Sequence, residues 1–359
     1  MIETRSAPSH DRRSMLRIAG ALAAALALPH AALIAQTATQ PPTAPRKPPR
    51  LRRGDTVGLI QPAGFVDDEF DLQLVMEAVI AMGLVPKPAP HLRTRFGYLA
   101  GTDKDRAADV NAMYADDSVR AVFAVRGGWG SARILPYLDF DLIRAHPKLL
   151  VGFSDITALH MAFAARAGFP TIHGPNAGGS WSKFSWDSFR RIAFDGATPT
   201  YLNPAATEDR LVQRKWRTQT ITPGTATGRL LGGNLTVLTS LLGTPYLPDF
   251  DGAILFLEDI DEAEYRIDRM LTQLALAGVL RRVAGVVFGQ CTNCRATGPS
   301  IGGFTVADLL RQHLQPLGVP AYQGALFGHV DDQFSLPVGV RAEINATTGS
   351  IRILGTAVA

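Results

Sequence analysis

The chain of 359 residues is 46% hydrophobic and 19% charged, with 34 Gly, 24 Pro and two Cys. This excludes wholesale disorder and a disulfide-dense scaffold, and leaves room for one large or two ordinary domains. The net charge of +4 sits at the start: residues 1–53 hold nine Lys/Arg against Glu3 and Asp11, leaving 27 basic and 30 acidic residues over 54–359, so the folded part has no basic surplus to suit nucleic acid.

Asp11-Arg12-Arg13-Ser14-Met15-Leu16-Arg17 sets paired arginines before an apolar stretch over 18–28, ended by Pro29. That stretch is too short for a hydrocarbon core of about 30 Å, which takes roughly 20 residues. It suits the apolar region of a signal peptide, with small residues over 31–38 as cleavage sites. The arginine pair resembles a twin-arginine signal; an ordinary secretory signal and an uncut anchor are the alternatives. Residues 1–38 are therefore expected to be an export signal, the mature protein periplasmic, and no stable membrane insertion to remain after cleavage. Residues 39–52 hold Pro41, Pro42, Pro45, Pro48 and Pro49 and read as an extended linker.

Over 53–176, short apolar runs alternate with helix-period segments. A strand is predicted over 56–60, closed by Pro62-Ala63-Gly64. Leu72, Val75, Met76, Val79 and Ile80 make one apolar stripe and predict a helix stopped by Gly83. A polar helix follows over 103–115 with Thr102 as N-cap. Then come a buried strand over 121–125, a short helix over 131–137, a strand over 148–153, a helix over 155–167 and a strand at 171–172. The alternation predicts an α/β fold whose N-terminal domain is a doubly wound parallel sheet.

Two loops in this half invite chemistry. Val125-Arg126-Gly127-Gly128-Trp129-Gly130 joins a strand to a helix, and its glycines let backbone N–H groups approach a ligand. It reads either as an oxyanion or carboxylate pocket or as a plain tight turn; no Lys-Ser/Thr follows to make a phosphate loop, and dinucleotide spacing is absent. Gly152-Phe153-Ser154-Asp155-Ile156-Thr157 runs a strand into a serine and at once into a helix, as in a nucleophile elbow, although Ile156 replaces the second Gly of G-x-S-x-G. The competing reading makes Ser154 a helix N-cap.

Residues 177–227 break the rhythm and read as a connecting region. Over 228–359 a second, smaller α/β domain is expected. Its elements are a turn at Gly232-Gly233, helices over 234–242, 264–277 and 306–313, strands over 253–257 and 283–288, and a hairpin over 341–345 and 350–354. Ligands of such folds bind between units, at the carboxyl ends of strands. A serine nucleophile needs a base, and the base an orienting acid. Carboxylates cluster at Glu258-Asp259-Ile260-Asp261-Glu262, after the strand. Of His91, His146, His160, His173, His313 and His329, His160 lies mid-helix and reads as structural. His173 ends a strand and could line a pocket, and His329 follows an apolar run in a loop. Spacing alone does not pair a carboxylate with a histidine. H-E-x-x-H is absent, Ser180-Trp181-Ser182-Lys183 lacks an accompanying K-T-G, and Cys291-Thr292-Asn293-Cys294, a single C-x-x-C and so a weak zinc or redox signal, reads as two free cysteines or a local disulfide.

Taken together these segments resemble the murein LD-carboxypeptidase family, which also includes serine peptidases conferring microcin immunity. The runs that carry the resemblance include Gly54-Asp55-Thr56-Val57, Leu99-Ala100-Gly101-Thr102-Asp103, Arg126-Gly127-Gly128-Trp129-Gly130 and Gly152-Phe153-Ser154-Asp155. Others are His173-Gly174-Pro175, Gly232-Gly233-Asn234-Leu235, Leu257-Glu258-Asp259-Ile260, Tyr265-Arg266-Ile267-Asp268-Arg269 and Phe327-Gly328-His329. The resemblance implies Ser154 as nucleophile, Glu258 as acid and His329 as base, with the active site between the domains. It further implies oxyanion donors at the Gly128 and Asp155 N–H groups, and a substrate pocket bordered by Gly127, Trp129, His173 and Asn234. The implied reaction releases terminal D-alanine from peptidoglycan tetrapeptide stems, with no metal or other cofactor. The implied partners are stem peptides and muropeptides, no nucleic acid, and a second copy in a homodimer. The alternatives are a microcin-immunity hydrolase acting on an acyl- or peptidyl-nucleotide, with Trp181 and Trp186 stacking a base or packing a lid, and a silent wall-binding protein.

Overall fold

The computed structural model describes residues 47–205, 212–213, 215–295 and 303–359. The expected export signal, residues 1–38, lies outside the described residues. Strands β1 (Thr56–Ile60), β2 (Val85–Pro88), β3 (Val119–Ala124), β4 (Leu149–Gly152) and β5 (Thr171–His173) form a parallel sheet in the order β2-β1-β3-β4-β5. Its central strands are covered on both faces, which is why Ala121, Val122 and Phe123, or Leu149, Leu150 and Val151, run apolar without alternation. The chain order reverses between β1 and β3, and the loops leaving those strands open the crevice where such sheets hold ligands.

The helices between these strands start where capping chemistry allows. Helix α1 (Glu69–Ala81) begins at Asp68, whose carboxylate accepts the Phe70 N–H, and buries Leu72, Val75 and Val79. Helix α2 (Asp103–Ala115) opens on a capping box between Thr102 and Asp105. Short α3 (Ser131–Ile134) and α4 (Phe140–Ala145) precede α5 (Thr157–Arg166), which is buried along most of its length.

The segment read as a connecting region holds a regular element, α6 (Lys183–Ala193), capped by Ser182. Its buried face joins Phe189, Ile192 and Ala193 with two serines that dock it through hydrogen bonds. Ser185 Oγ donates to the Asp331 carbonyl and accepts the Gln333 N–H (3.0 Å), while Ser188 Oγ accepts the Ser335 N–H (2.9 Å). The region also supplies β6 (Thr200–Leu202) and β7 (Gln219–Thr222). These join β8 (Thr225–Asn234), β9 (Ile254–Ile260), β10 (Gly285–Thr292) and β11 (Ala321–Gln323) in a second sheet. Strand β12 (Leu336–Val338) leaves that layer to pair antiparallel with β5, before the hairpin β13 (Arg341–Asn345) and β14 (Ser350–Ile353). The second sheet, in the order β6-β14-β13-β8-β9-β10-β11-β7, therefore has eight strands against six in the first. It also carries α7 (Leu235–Ser240), α8 (Glu264–Leu276) and α9 (Val306–Leu314).

Two sequence readings change here. Gly232 and Gly233 are not a turn; they lie inside β8, with φ near +145°. A Cβ on Gly233 would fall 2.4 Å from Thr157 Oγ1, and one on Gly232 would fall 1.8 Å from the Phe256 carbonyl oxygen. Glycine there lets β8 run against the start of α5, where Thr157 Oγ1 accepts the Asn234 N–H (2.9 Å). That contact brings the second sheet up to the end of β4. The described part of the linker, in turn, is not a free tether. Leu51 is 1% exposed, its N–H donates to the Ala193 carbonyl, and Pro48 and Arg50 pair with Ala359. Among the described residues, no helix is long and apolar enough to cross a membrane.

Candidate active site

β4 ends at Gly152, Phe153 continues extended, and Ser154 turns to φ +65° before the chain enters a 3-10 turn and α5. A left-handed conformation in a residue with a Cβ costs about 1–2 kcal/mol, so neighbouring groups must hold it. The Phe153 N–H donates to Asn176 Oδ1 (3.2 Å), and the Asp155 carboxylate accepts the Ser131 N–H (2.7 Å). His160, fully buried in α5, bridges Thr171 Oγ1 and the Gly152 carbonyl (2.8 Å each), and burial pushes its imidazole down to about 4. His160 is a structural histidine that props the strand under the serine. The Ser154 hydroxyl caps no helix; its hydrogen-bond partner is His329.

His329 Nε2 lies 3.0 Å from Ser154 Oγ, and Nδ1 lies 2.8 Å from Glu258 Oε2. The loop carrying His329 is anchored by buried Ala325, Leu326 and Phe327, and Thr292 Oγ1 donates to the His329 carbonyl (2.7 Å). The Phe153 ring, 4.8 Å away between centroids, backs the imidazole. Glu258 sits within β9 rather than after it, because the strand runs on to Ile260. Its side chain is wholly buried, and the adjacent Asp259 points elsewhere, to Asn234, Thr236 and α7. Burial, followed by the Glu258 charge, pushes Asp259 up to about 6. At His329 burial works against the imidazolium, yet the hydrogen bond and charge of Glu258, helped by Asp259 and Asp261, carry it above its ordinary value. A carboxylate on Nδ1 selects the tautomer protonated there and leaves Nε2 free to accept the serine proton.

Beside the serine runs the loop over 126–130. A Cβ on Gly127 would lie 3.0 Å from Ser154 Cβ, so any larger residue would press the loop and the serine apart by a few tenths of an ångström, and Gly127 O accepts the Gly64 N–H (3.2 Å). Gly128 and Asp155 spend no N–H on another hydrogen bond among the described residues. Trp129 is exposed, edge-on to Tyr98 at 5.7 Å.

His173 and Asn234 are buried, at 0% and 4% exposure among the described residues. β12 covers the end of β5, so His173 is shut among Phe153, Phe256 and Phe327, and burial drives its imidazole well below the usual range. Asn234 caps α7 and donates to Asp259 Oδ1 (3.0 Å). Of the two readings of Cys291 and Cys294, the structure takes the local disulfide. Asn176 and Thr292 went unread. Asn176 had a signal, since it follows His173-Gly174-Pro175 in a loop beside the elbow; Thr292 had none.

The sequence matches the LD-carboxypeptidase N-terminal domain over residues 57–174 and the LD-carboxypeptidase C-terminal domain over residues 227–344. It is 38% identical over 307 residues to a Bacillus subtilis (strain 168) protein named "Probable murein peptide carboxypeptidase", covering 83% of this chain and 91% of that one. The crystal structure of muramoyltetrapeptide carboxypeptidase from Oxalobacter formigenes superposes with a TM-score of 0.69 at 28% identity, over 83% of this chain and 97% of the other. The fold is shared with MccF in complex with glutamyl sulfamoyl guanosine, at a TM-score of 0.79 and 24% identity, over 88% of this chain and 100% of the other. With both domains matched, and Ser154 in the first and Glu258 and His329 in the second, this chain belongs to the LD-carboxypeptidase family of serine peptidases.

Proposed function

We propose that this enzyme releases the terminal D-alanine from peptidoglycan tetrapeptide stems by cleaving an L,D-peptide bond through an acyl-enzyme on Ser154. The observation that carries the reading is the continuous relay Ser154–His329–Glu258, at 3.0 and 2.8 Å. The choice of substrate leans on the names of the Bacillus subtilis and Oxalobacter formigenes relatives.

His329 Nε2 takes the Ser154 proton as Oγ bonds to the scissile carbonyl carbon. The carbonyl electron pair moves onto oxygen, which the Gly128 and Asp155 N–H groups receive, each such donor contributing about 2.7–4 kcal/mol to the barrier. As the tetrahedral carbon collapses, His329 delivers the proton to the leaving D-alanine nitrogen. Water, deprotonated by the same imidazole, then splits the ester and restores Ser154. Glu258 holds the tautomer and balances the imidazolium charge.

Mass spectrometry of defined muropeptides after incubation with the purified protein tests the substrate. Tetrapeptide stems are expected to lose one alanine. Intact stems together with cleavage of a peptidyl-nucleotide would transfer the reading to the microcin-immunity branch. Trp181 packs edge-on to Trp186 and to Phe189, while Trp186 lies tilted on Phe189 and edge-on to Phe194, so these two rings fit the packing role better than a base-stacking one.

A wall substrate fits a periplasmic site of action, so we propose that Arg12 and Arg13 direct export. A reporter fused to residues 1–45 should reach the periplasm, and its Arg12→Lys/Arg13→Lys version should stay in the cytoplasm. Export of the double variant through the general secretory route would overturn the twin-arginine assignment.

A further inference from the structure

Arg106, on α2, is the largest fully buried side chain among the described residues, at 1% exposure. A guanidinium is costly to remove from water, and the partners that compensate for it show what it organises. Nη1 donates to two backbone carbonyls in two different loops, Pro62 and Gly130 (3.0 Å to the latter). Nη2 donates to Asp103 Oδ1 (2.5 Å), and Asp103 Oδ2 accepts Nη2 and Nε of Arg133 (2.9 and 3.1 Å).

Pro62 belongs to the turn after β1, and Gly130 closes the glycine-rich loop after β3. These are the loops that flank the reversal of strand order, and the Gly64–Gly127 hydrogen bond ties them a second time. From Gly130 the chain enters α3, whose Ser131 N–H is fixed by the carboxylate of Asp155, the residue after the serine. The loop also rests directly on the guanidinium: a Cβ on Gly130 would lie 3.1 Å from Arg106 Nη1 and 2.5 Å from Leu99 Cδ2. The stretch from Gly127 to Gly130, which touches Ser154 at one end, is thus seated on Arg106 at the other.

We propose that Arg106 is a positioning residue for the oxyanion side of the site: its planar fork fixes the spacing of the two loops and so aims the Gly128 N–H at a carbonyl oxygen held over Ser154. The proposal rests on the acyl-enzyme reading above. A merely structural ion pair would lower stability and leave the kinetic constants of the folded enzyme alone.

The test compares Arg106→Lys and Arg106→Met in the full chain. Lysine keeps the charge and the partnership with Asp103, but a single ammonium does not reproduce two fixed donors in one plane. For Arg106→Lys, kcat should fall by about 10- to 100-fold, as expected when a reacting group is displaced by about 1 Å, with KM changed by less than about twofold. A peptide boronate, which forms a tetrahedral adduct on the serine, should lose affinity in step with kcat, while a non-cleavable substrate amide binds as before. The acid limb of the pH profile should stay in place, since His329 and Glu258 are untouched. Hydrogen exchange at residues 127–131 should quicken in both variants with β4 and β5 unaffected, a readout that needs no turnover. Should Arg106→Met not fold, the lysine variant decides alone. Retention of kcat within about threefold in a folded Arg106→Lys, or unchanged exchange over 127–131, overturns the proposal. A wild-type protein that a fluorophosphonate does not label at Ser154 overturns the acyl-enzyme reading instead, so the two failures are told apart.

Discussion

Ser154→Ala is expected to lower kcat by about 10⁶-fold, the size of loss found when a serine hydrolase is deprived of its nucleophile. The atom removed is the one that bonds to substrate, and among the described residues no other hydroxyl shares the His329 Nε2 contact. Residual turnover of about 10³–10⁴ over water would come from the oxyanion donors and binding alone. Stability should respond differently, because φ at Ser154 is +65° whatever the side chain does. Alanine keeps the backbone strain and should melt close to the parent. Ser154→Gly, equally inactive, should be more stable by roughly 1 kcal/mol, since glycine enters the left-handed region without the Cβ clash. D-alanine release measured beside thermal melting of the three proteins checks both halves. Substantial turnover in the alanine variant would remove the elbow from the mechanism, and a glycine variant less stable than the parent would remove the strain argument.

How far the site could be read in advance follows from how each part is encoded. Local features were legible: the 103–115 helix with its Thr102 cap, the strand entering Ser154 and the closing hairpin each depend on residues a few positions apart. Helix α6 carries an apolar stripe at Phe189, Ile192 and Ala193, but the stripe sits in a stretch rich in Gly, Ser and charge and is completed by Ser185 and Ser188, which dock through backbone hydrogen bonds that no hydrophobic pattern shows. Gly232 and Gly233 misled because glycine pairs mark turns far more often than close passage of one layer past another. Ser154 lies 175 residues from His329, and Glu258 lies 71 from it. No periodicity spans such distances, and the pairing came from family resemblance; in space it follows from β8 passing α5 and from the loop after β11. Arg106 had no signal, since an arginine in a polar helix normally faces solvent. His173 was misjudged because the strand that covers it, β12, arrives from the other half of the chain.

Glu258→Gln is the second large effect, an expected loss of about 10⁴-fold in kcat by comparison with the same amide substitution in another serine triad. The volume is kept, so the loss is one of proton placement. If the amide N–H donates to His329 Nδ1, the ring proton moves to Nε2, where it points at Ser154 and blocks acceptance of the serine proton. If instead the amide oxygen faces Nδ1, the tautomer is retained but the imidazolium formed in the transition state has no counter-charge. The pH dependence carries the sign of that charge. In the parent, Glu258 holds the His329 pKa above its ordinary value against burial, and activity falls as pH drops through that raised pKa. Without the carboxylate, burial prevails, the imidazole protonates only at lower pH, and the acid limb of kcat/KM moves toward acid. Asp259, pushed to about 6 by burial and by Glu258, should fall toward its usual range in the same variant, so NMR titration of the imidazole is the cleaner measure. Stability gives an independent check. A pKa raised on folding contributes stability that is full below the unfolded imidazole pKa and is lost as pH rises through the folded one. The melting difference between parent and Glu258→Gln should therefore be wider just below the imidazole range, with carboxylates still ionised, than at alkaline pH. A variant within tenfold of parental kcat, with its acid limb unmoved, would show that His329 is oriented by something other than Glu258.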